Sequence, residues 1–225
     1  MRYLVLIADI DEFNPCKNSL GSLVSKEYRI RHMPAFDFSY NSHDCTAVCF
    51  GIGKVNAAMG AAIALDCDKF DGVINTGWSG AVSEVFKGDI IVSDSCVECD
   101  FDLTPIGRLP GQKPGQEEYI YKCDNPLYKA ACSVKGFKHG NLGTGDFFLT
   151  DKALGEKYKK LFNINAFDME SGALGAVCYL LGVPFVSIRK ISDNADDVSV
   201  SEYSDSLASD VTAFSDIILK VLEKL

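Results

Sequence analysis

Strand-length runs, most of them apolar and rich in β-branched residues, recur along the chain at 3–8, 46–50, 72–76, 89–93, 136–142, 166–169 and 183–188. Runs this short and this apolar predict strands covered on both faces rather than helices. Between them the pattern turns helical. Residues 56–65 are Ala-rich, Asp151 is placed to cap a helix through Leu161, and residues 171–181 form an almost wholly apolar segment that stops at Gly182. Near the end, Leu207, Val211, Phe214, Ile218, Val221 and Leu222 share one side of what reads as a single amphipathic helix packed on the sheet. Strands alternating with helices predict an α/β layer fold, as one domain over residues 1–225.

One stretch breaks the alternation. Pro105, Pro110 and Pro114 with Gly107, Gly111 and Gly115 deny regular structure to residues 100–116, which predicts a long surface loop. Loops of that length are functional, packed against something such as a second subunit, or plain excursions.

Charge and cysteine usage narrow the partners and the compartment. The 225 residues carry 22 Lys and Arg against 31 Asp and Glu, a net charge of −9 that repels phosphate backbones and anionic lipid heads, so neither nucleic acid nor membrane is expected as a partner. Nine scattered cysteines, an odd number, suit reduced thiols in a cytoplasm. The opening run is cut by Asp9 and Asp11 before it could serve as a signal-peptide core, and the apolar stretch 172–186 is interrupted by Gly182 and Pro184. That stretch falls short of the roughly 18 residues that suggest a membrane span.

Several near-motifs fail on inspection. Gly51-Ile52-Gly53 follows a strand, but Asn56 stands where a dinucleotide fingerprint needs Gly, and Val55 follows Lys54 where a phosphate loop needs Ser or Thr. The turn is therefore either plain strand-to-helix punctuation or a close approach of backbone to some ligand. Gly77-Trp78-Ser79-Gly80-Ala81 nearly spells a nucleophile elbow, yet Ala81 ends it and only His139 follows. Cys96-Val97-Glu98-Cys99 lacks a second pair, and His32, His43 and His139 are dispersed, so no metal and no cofactor is expected.

The C-terminal half carries more. Asp168-Met169-Glu170 ends a strand and opens a helix, where backbone donors favour a carboxylate. The run 183–188 then delivers Arg189, Ser192, Asp193, Asp196 and Asp197 to a strand's carboxyl end, the side on which open α/β sheets bind ligands. A solvated, charge-rich turn has the same pattern.

Together with Ala8-Asp9-Ile10-Asp11-Glu12, Gly51-Ile52-Gly53-Lys54-Val55, Ile74-Asn75-Thr76-Gly77, Gly88-Asp89-Ile90, Leu109-Pro110-Gly111, Gly145-Asp146-Phe147-Phe148 and Val183-Pro184-Phe185, these segments form an ordered set spanning nearly the whole chain. That set resembles the nucleoside phosphorylase and nucleosidase superfamily, and most closely its 5′-methylthioadenosine/S-adenosylhomocysteine nucleosidases. The resemblance implies a three-layer αβα sandwich with a central mixed, mostly parallel twisted sheet. It also implies a hydrolase that frees adenine from 5′-modified adenosines. By that resemblance Glu12 activates the attacking water, Glu170 holds the ribose hydroxyls, and Asp193 protonates the purine at N7 with Ser192 as helper. Arg189 stands beside the water site, Phe148 stacks on adenine, the main chain of Leu149 reads the base edge, and Met169, with Ile52 nearby, lines the pocket. The relatives are homodimers in which the long loop lends apolar residues to the partner's pocket, here Ile106 and Pro110.

The assignment agrees with the chemistry. Breaking a ribosyl C–N bond forms an oxocarbenium-like sugar and pushes electrons onto the purine, so an acid at the base and carboxylates at the sugar act mainly in the transition state. Asp193 is expected to hold a proton at rest or to gain one when substrate binds, while Glu170 stays ionised and Glu12 takes a proton from water, as in inverting glycoside hydrolysis. Asn75 and the acidic pair Asp11-Glu12 stand where the related phosphorylases carry phosphate-holding Arg, which favours water as nucleophile. Two departures bear on the substrate. Trp78 replaces a small Ser near the sugar, and Asp9 replaces an apolar pocket residue, usually Met. An indole there narrows the 5′ side, rotates out, or stacks on a different ligand. The competing functions are a futalosine-type nucleosidase, a purine or uridine nucleoside phosphorylase, and a non-catalytic nucleoside-binding protein of the same fold.

Overall fold

A computed structural model describes residues 1–196, 198–209 and 213–225. Asp197 and Val211, which figured in the sequence pattern, lie outside these residues. Ten strands form one mixed sheet: β1 (Arg2–Ile7), β2 (Val24–Ile30), β3 (Met33–Tyr40), β4 (His43–Cys49), β5 (Gly72–Ala81), β6 (Ile90–Glu98), β7 (Ile120–Lys122), β8 (Lys138–Thr144), β9 (Ala166–Asp168) and β10 (Phe185–Asp193). The described helices are α1 (Ile10–Leu20), α2 (Lys54–Cys67), α3 (Pro126–Cys132), α4 (Lys152–Phe162), α5 (Ser171–Leu181), α6 (Ser199–Ser209) and α7 (Ala213–Leu222). None is long and apolar enough to cross a membrane.

β1 shows why the central strands lack polar alternation. Tyr3, Val5 and Ile7 join a cluster with Phe13 of α1, Leu127 of α3 and Phe214 and Ile218 of α7, whereas Leu4, Leu6 and Ala8 join Ala57 and Ala61 of α2 and Leu174 of α5. Both faces are covered by helices, so every position must be apolar. A third cluster, with Leu149, Tyr158 of α4 and Phe167, closes one end.

β1 pairs in parallel with β4 and β5, and β5 with β10. The antiparallel strands β2, β3 and β4 form the outer edge. On the other side the sheet curls back: β5 pairs with β10, β10 with β6, β6 with β8, β8 with β9, and β9 with β5 again. This closed ring explains two differences from the sequence reading. β5 and β10 each run past the apolar cores at 72–76 and 183–188, because their polar or glycine-rich continuations pair with one another as far as Gly80 and Asp193. A register shift between Ile191 and Asp193 turns the end of β10.

The expected cap of α4 is present, with Asp151 accepting from the amides of Ala153 and Leu154. Of the C-terminal segment expected as one helix, the described residues form α6, which carries Leu207, and α7, which carries Phe214, Ile218, Val221 and Leu222. Residues 100–116 are irregular apart from one short 3-10 turn at Thr104–Ile106. Cys96 and Cys99 pack into different clusters, which leaves the CxxC pair as two separate core thiols.

Candidate active site

The cavity lies where β1, β9 and β10 end. Asp9 caps α1: its Oδ1 accepts from the Asp11 amide at 3.0 Å, and its carbonyl accepts from the amides of Glu12 and Phe13. The cap fixes the first turn and aims Glu12 at β5. Oε1 of Glu12 accepts from the Trp78 amide at 3.2 Å, whereas Oε2 is buried without a hydrogen-bond partner among the described residues. Burial pushes the Glu12 carboxyl up to about 8, against the opposing pull of Arg189. A group poised this close to neutrality suits proton transfer.

Arg189 is 1% exposed in the middle of β10. It pairs with Asp168 Oδ2 at 3.1 Å and Glu170 Oε2 at 3.0 Å. Its Nε also donates to the hydroxyls of Ser171 and Ser187, which completes the network a buried charge requires. The glycines of β5 are what let this happen. A β-carbon on Gly77 would lie 2.6 Å from Arg189 Nη1 and 3.0 Å from Glu12 Oε2, and one on Gly80 would lie 2.8 Å from Asp193 Oδ1.

Glu170 differs from the helix-capping carboxylate that its position suggests. Asp168 caps α5 instead, with Oδ1 accepting from the amides of Glu170 and Ser171. Glu170 is thereby free to turn toward Arg189 and to accept from the Gly53 amide at 3.2 Å. Burial raises its pKa, and Arg189 and the Gly53 N–H act against that rise. The Gly51-Ile52-Gly53 turn thus brings backbone up to a site carboxylate; Gly53, at φ 95°, heads α2, whose Lys54 amide donates to Asp146.

Asp193 is buried at the end of β10. The Ser192 hydroxyl donates to its Oδ2 at 2.5 Å and the Ala195 amide to its Oδ1 at 2.9 Å. From α6, Ser206 donates to the Ser192 carbonyl and holds this corner down.

Glu12, Glu170, Asp193, Asp9, Ile52, Trp78, Phe148, Leu149, Met169, Arg189 and Ser192 all line this one cavity. Ile106 and Pro110 do not line it; they sit on the loop, where Ile106 is 71% exposed. The indole of Trp78 is 8% exposed and packs edge-on against Phe214, with ring centroids 5.2 Å apart. The indole thus packs with the core cluster while the residue still lines the cavity, and its main-chain amide serves Glu12. Sequence reasoning missed Asp168, Ser79, Phe147, Phe167 and Tyr203 as lining residues. Tyr203 meets Phe148 edge-on at 5.5 Å from α6. Tyr203 stands one turn before Leu207, where the amphipathic pattern begins, and packs against the same core cluster, so nothing in that pattern marked it.

Comparisons with known proteins give the family and the fold. The sequence model of the phosphorylase superfamily matches residues 2–223. The 5′-methylthioadenosine/S-adenosylhomocysteine nucleosidase of Geobacillus sp. (strain WCH70) is 37% identical over 193 residues, covering 82% of this chain and 83% of that one. The aminodeoxyfutalosine nucleosidase of Campylobacter jejuni is 28% identical across the whole of both chains. Among solved structures, the S-adenosylhomocysteine nucleosidase of Streptococcus pyogenes in complex with 5-methylthiotubericidin superposes with a TM-score of 0.91 at 27% identity, covering 100% of this chain and 97% of that one. The chain belongs to the phosphorylase superfamily, and within it to the nucleosidases, which are N-glycosyl hydrolases.

Proposed function

We propose that this enzyme hydrolyses the N-glycosidic bond of 5′-modified adenosines such as methylthioadenosine or S-adenosylhomocysteine, releasing adenine and a ribose derivative. The observation that carries the reading is the convergence of Glu12, Glu170 and Asp193, from α1, the start of α5 and the end of β10, on one cavity. Each has surroundings suited to its part. Asp193, held by Ser192 and the Ala195 amide, delivers a proton to purine N7 as the C–N bond lengthens. Glu170, anchored by Arg189 and the Gly53 amide, accepts from the ribose hydroxyls and favours the positive charge that grows on the sugar. Glu12 takes the proton of the attacking water at its unpartnered Oε2. Phe148 and Leu149 face the base, and Met169 the sugar. No metal or cofactor has a part in this scheme.

Water is favoured over phosphate by the charges. Among the described residues that line the cavity, Arg189 is the one cation, and Asp168 and Glu170 both take it, while Asp9, Glu12 and Asp193 add negative charge. A phosphate dianion meets repulsion there.

The exposed Ile106 and Leu109 on the long loop support a homodimer in which this segment reaches the partner's pocket, and nine unpaired thiols suit a reducing cytoplasm. Sedimentation at micromolar concentration tests the dimer.

Adenine release from methylthioadenosine and S-adenosylhomocysteine in phosphate-free buffer tests the reaction. Release that requires phosphate identifies a phosphorylase, and none in either buffer identifies a binder or another substrate. The relative from Campylobacter jejuni, which matches from end to end, makes aminodeoxyfutalosine the third substrate for the assay.

A further inference from the structure

Once the base is assigned to Asp193, Phe148 and Leu149 and the sugar to Glu170 and Met169, one end of the cavity is left over. Ala8, Asp9, Ile52 and Tyr203 line the cavity too and lie near one another: the Gly51 amide donates to the Ala8 carbonyl, which sets Ile52 beside Asp9, and the Asp9 charge acts on the Tyr203 phenol. On the nucleosidase reading, on which this inference rests, that end faces the 5′ carbon. Three of the four are apolar or aromatic; the fourth is a carboxylate.

We propose that Asp9 is a specificity-determining residue that selects nucleosides whose 5′ substituent carries a hydrogen-bond donor, above all a cationic one, over those with a purely apolar 5′ group. The carboxylate is already oriented for this. Its Oδ1 is fixed by the Asp11 amide at the head of α1, and no hydrogen bond among the described residues reaches Oδ2. Covering a half-buried carboxylate with an apolar group removes its water and returns nothing, whereas an ammonium or hydroxyl restores a charge-assisted bond.

The surroundings reinforce the preference. Glu12 and Tyr203 both feel the Asp9 charge. Burial, followed by the charges of Glu12, Asp9, Glu170 and Asp11, raises the Tyr203 phenol, so its hydroxyl stays neutral and able to donate. Arg189, the one cation among the described lining residues, is taken by Asp168 and Glu170, so no cationic side chain of the described lining pairs with Asp9. A 5′ substituent that ends in a lone carboxylate is disfavoured for the same reason.

Binding of uncleavable C-nucleoside analogues of adenosine tests the inference apart from catalysis. The 5′-amino and 5′-methylthio analogues are titrated by calorimetry at pH 7 into the wild-type chain, Asp9→Asn and Asp9→Ser. Asn and Ser both cap helices, so α1 keeps its start. The wild type is expected to bind the amino analogue at least about tenfold more tightly, the scale of one charge-assisted bond, and the ratio is expected to fall toward one in both variants. A role of Asp9 confined to capping α1 would weaken both ligands equally and leave the ratio unchanged, which overturns the proposal. So does tighter binding of the methylthio analogue by the wild type, or no binding of either. Adenine release from cleavable substrates is assayed separately: its absence alongside the expected binding ratio sinks the nucleosidase reading and leaves the preference at the 5′ end standing.

Discussion

The amide N–H of Trp78 donates to Oε1 of Glu12 at 3.2 Å, while the indole of the same residue is buried against Phe214. One residue thus fixes a site carboxylate through its main chain and anchors α7 through its side chain. The residue belongs to the core cluster as well as to the cavity that it lines.

Glu12 links activity and stability to pH. Its folded-state pKa, pushed up to about 8 by burial, lies above the value of an unfolded glutamate, so the native state holds the extra proton. The stability this confers is complete below about pH 4.5 and is lost as pH rises toward 8. Glu12→Gln removes the titration, so its melting temperature is expected to gain on the wild type progressively from pH 5 to 8. The same variant should lose about 10²–10⁴-fold in kcat. In the wild type, kcat/KM should climb with pH through about 8 and level off above it, as the base form of Glu12 fills. Melting curves and initial rates across that range check both.

Asp193→Asn removes the proton that the leaving base needs. Turnover of methylthioadenosine is expected to fall about 10²–10⁴-fold, and far less for a riboside whose leaving group departs unprotonated, such as p-nitrophenolate. Equal losses on the two substrates would assign Asp193 to holding the fold rather than to acid catalysis.

Arg189→Met keeps bulk in the core and deletes the charge between Asp168 and Glu170. Two buried carboxylates then face each other without a cation, at an expected cost of about 3–5 kcal/mol in urea unfolding. Arg189→Lys should recover only part of this, because a single ammonium cannot reproduce the fork that serves Asp168, Glu170 and the seryl hydroxyls.

Gly77→Ala places a methyl group 2.6 Å from Arg189 Nη1. Arg189 and Glu12 must both shift, so the variant should lose about 1–3 kcal/mol of stability and more than a factor of ten in kcat. Gly88→Ala, at φ 92° with open space around its β-carbon, shows what backbone strain costs without a clash.

Much of the fold was legible because the buried strands are chemically simple. Runs such as 3–8 and 72–76 are apolar on both sides and sit in the middle of the sheet, as their composition requires. The outer hairpin of β2 and β3 was not legible, since Lys26, Glu27 and Arg29 face solvent at an edge and blur the pattern. α1 was hidden by Pro15 and a polar composition, and what starts it is a single capping aspartate. The carboxylates could be read because their motifs recur in order. The roles of Gly77 and Gly80 could not: they answer to Arg189 and Asp193, more than a hundred positions downstream, and only the pairing of β5 with β10 brings them together.

The ring that β5, β10, β6, β8 and β9 make has one more consequence. A closed circuit of ladders has no free side from which to fray, so its amides should exchange with deuterated solvent only when the entire molecule opens. The spacing between Arg189, Asp193 and the two glycines opposite them is then as durable as the protein itself. On heating, loss of turnover and loss of structure should arrive together.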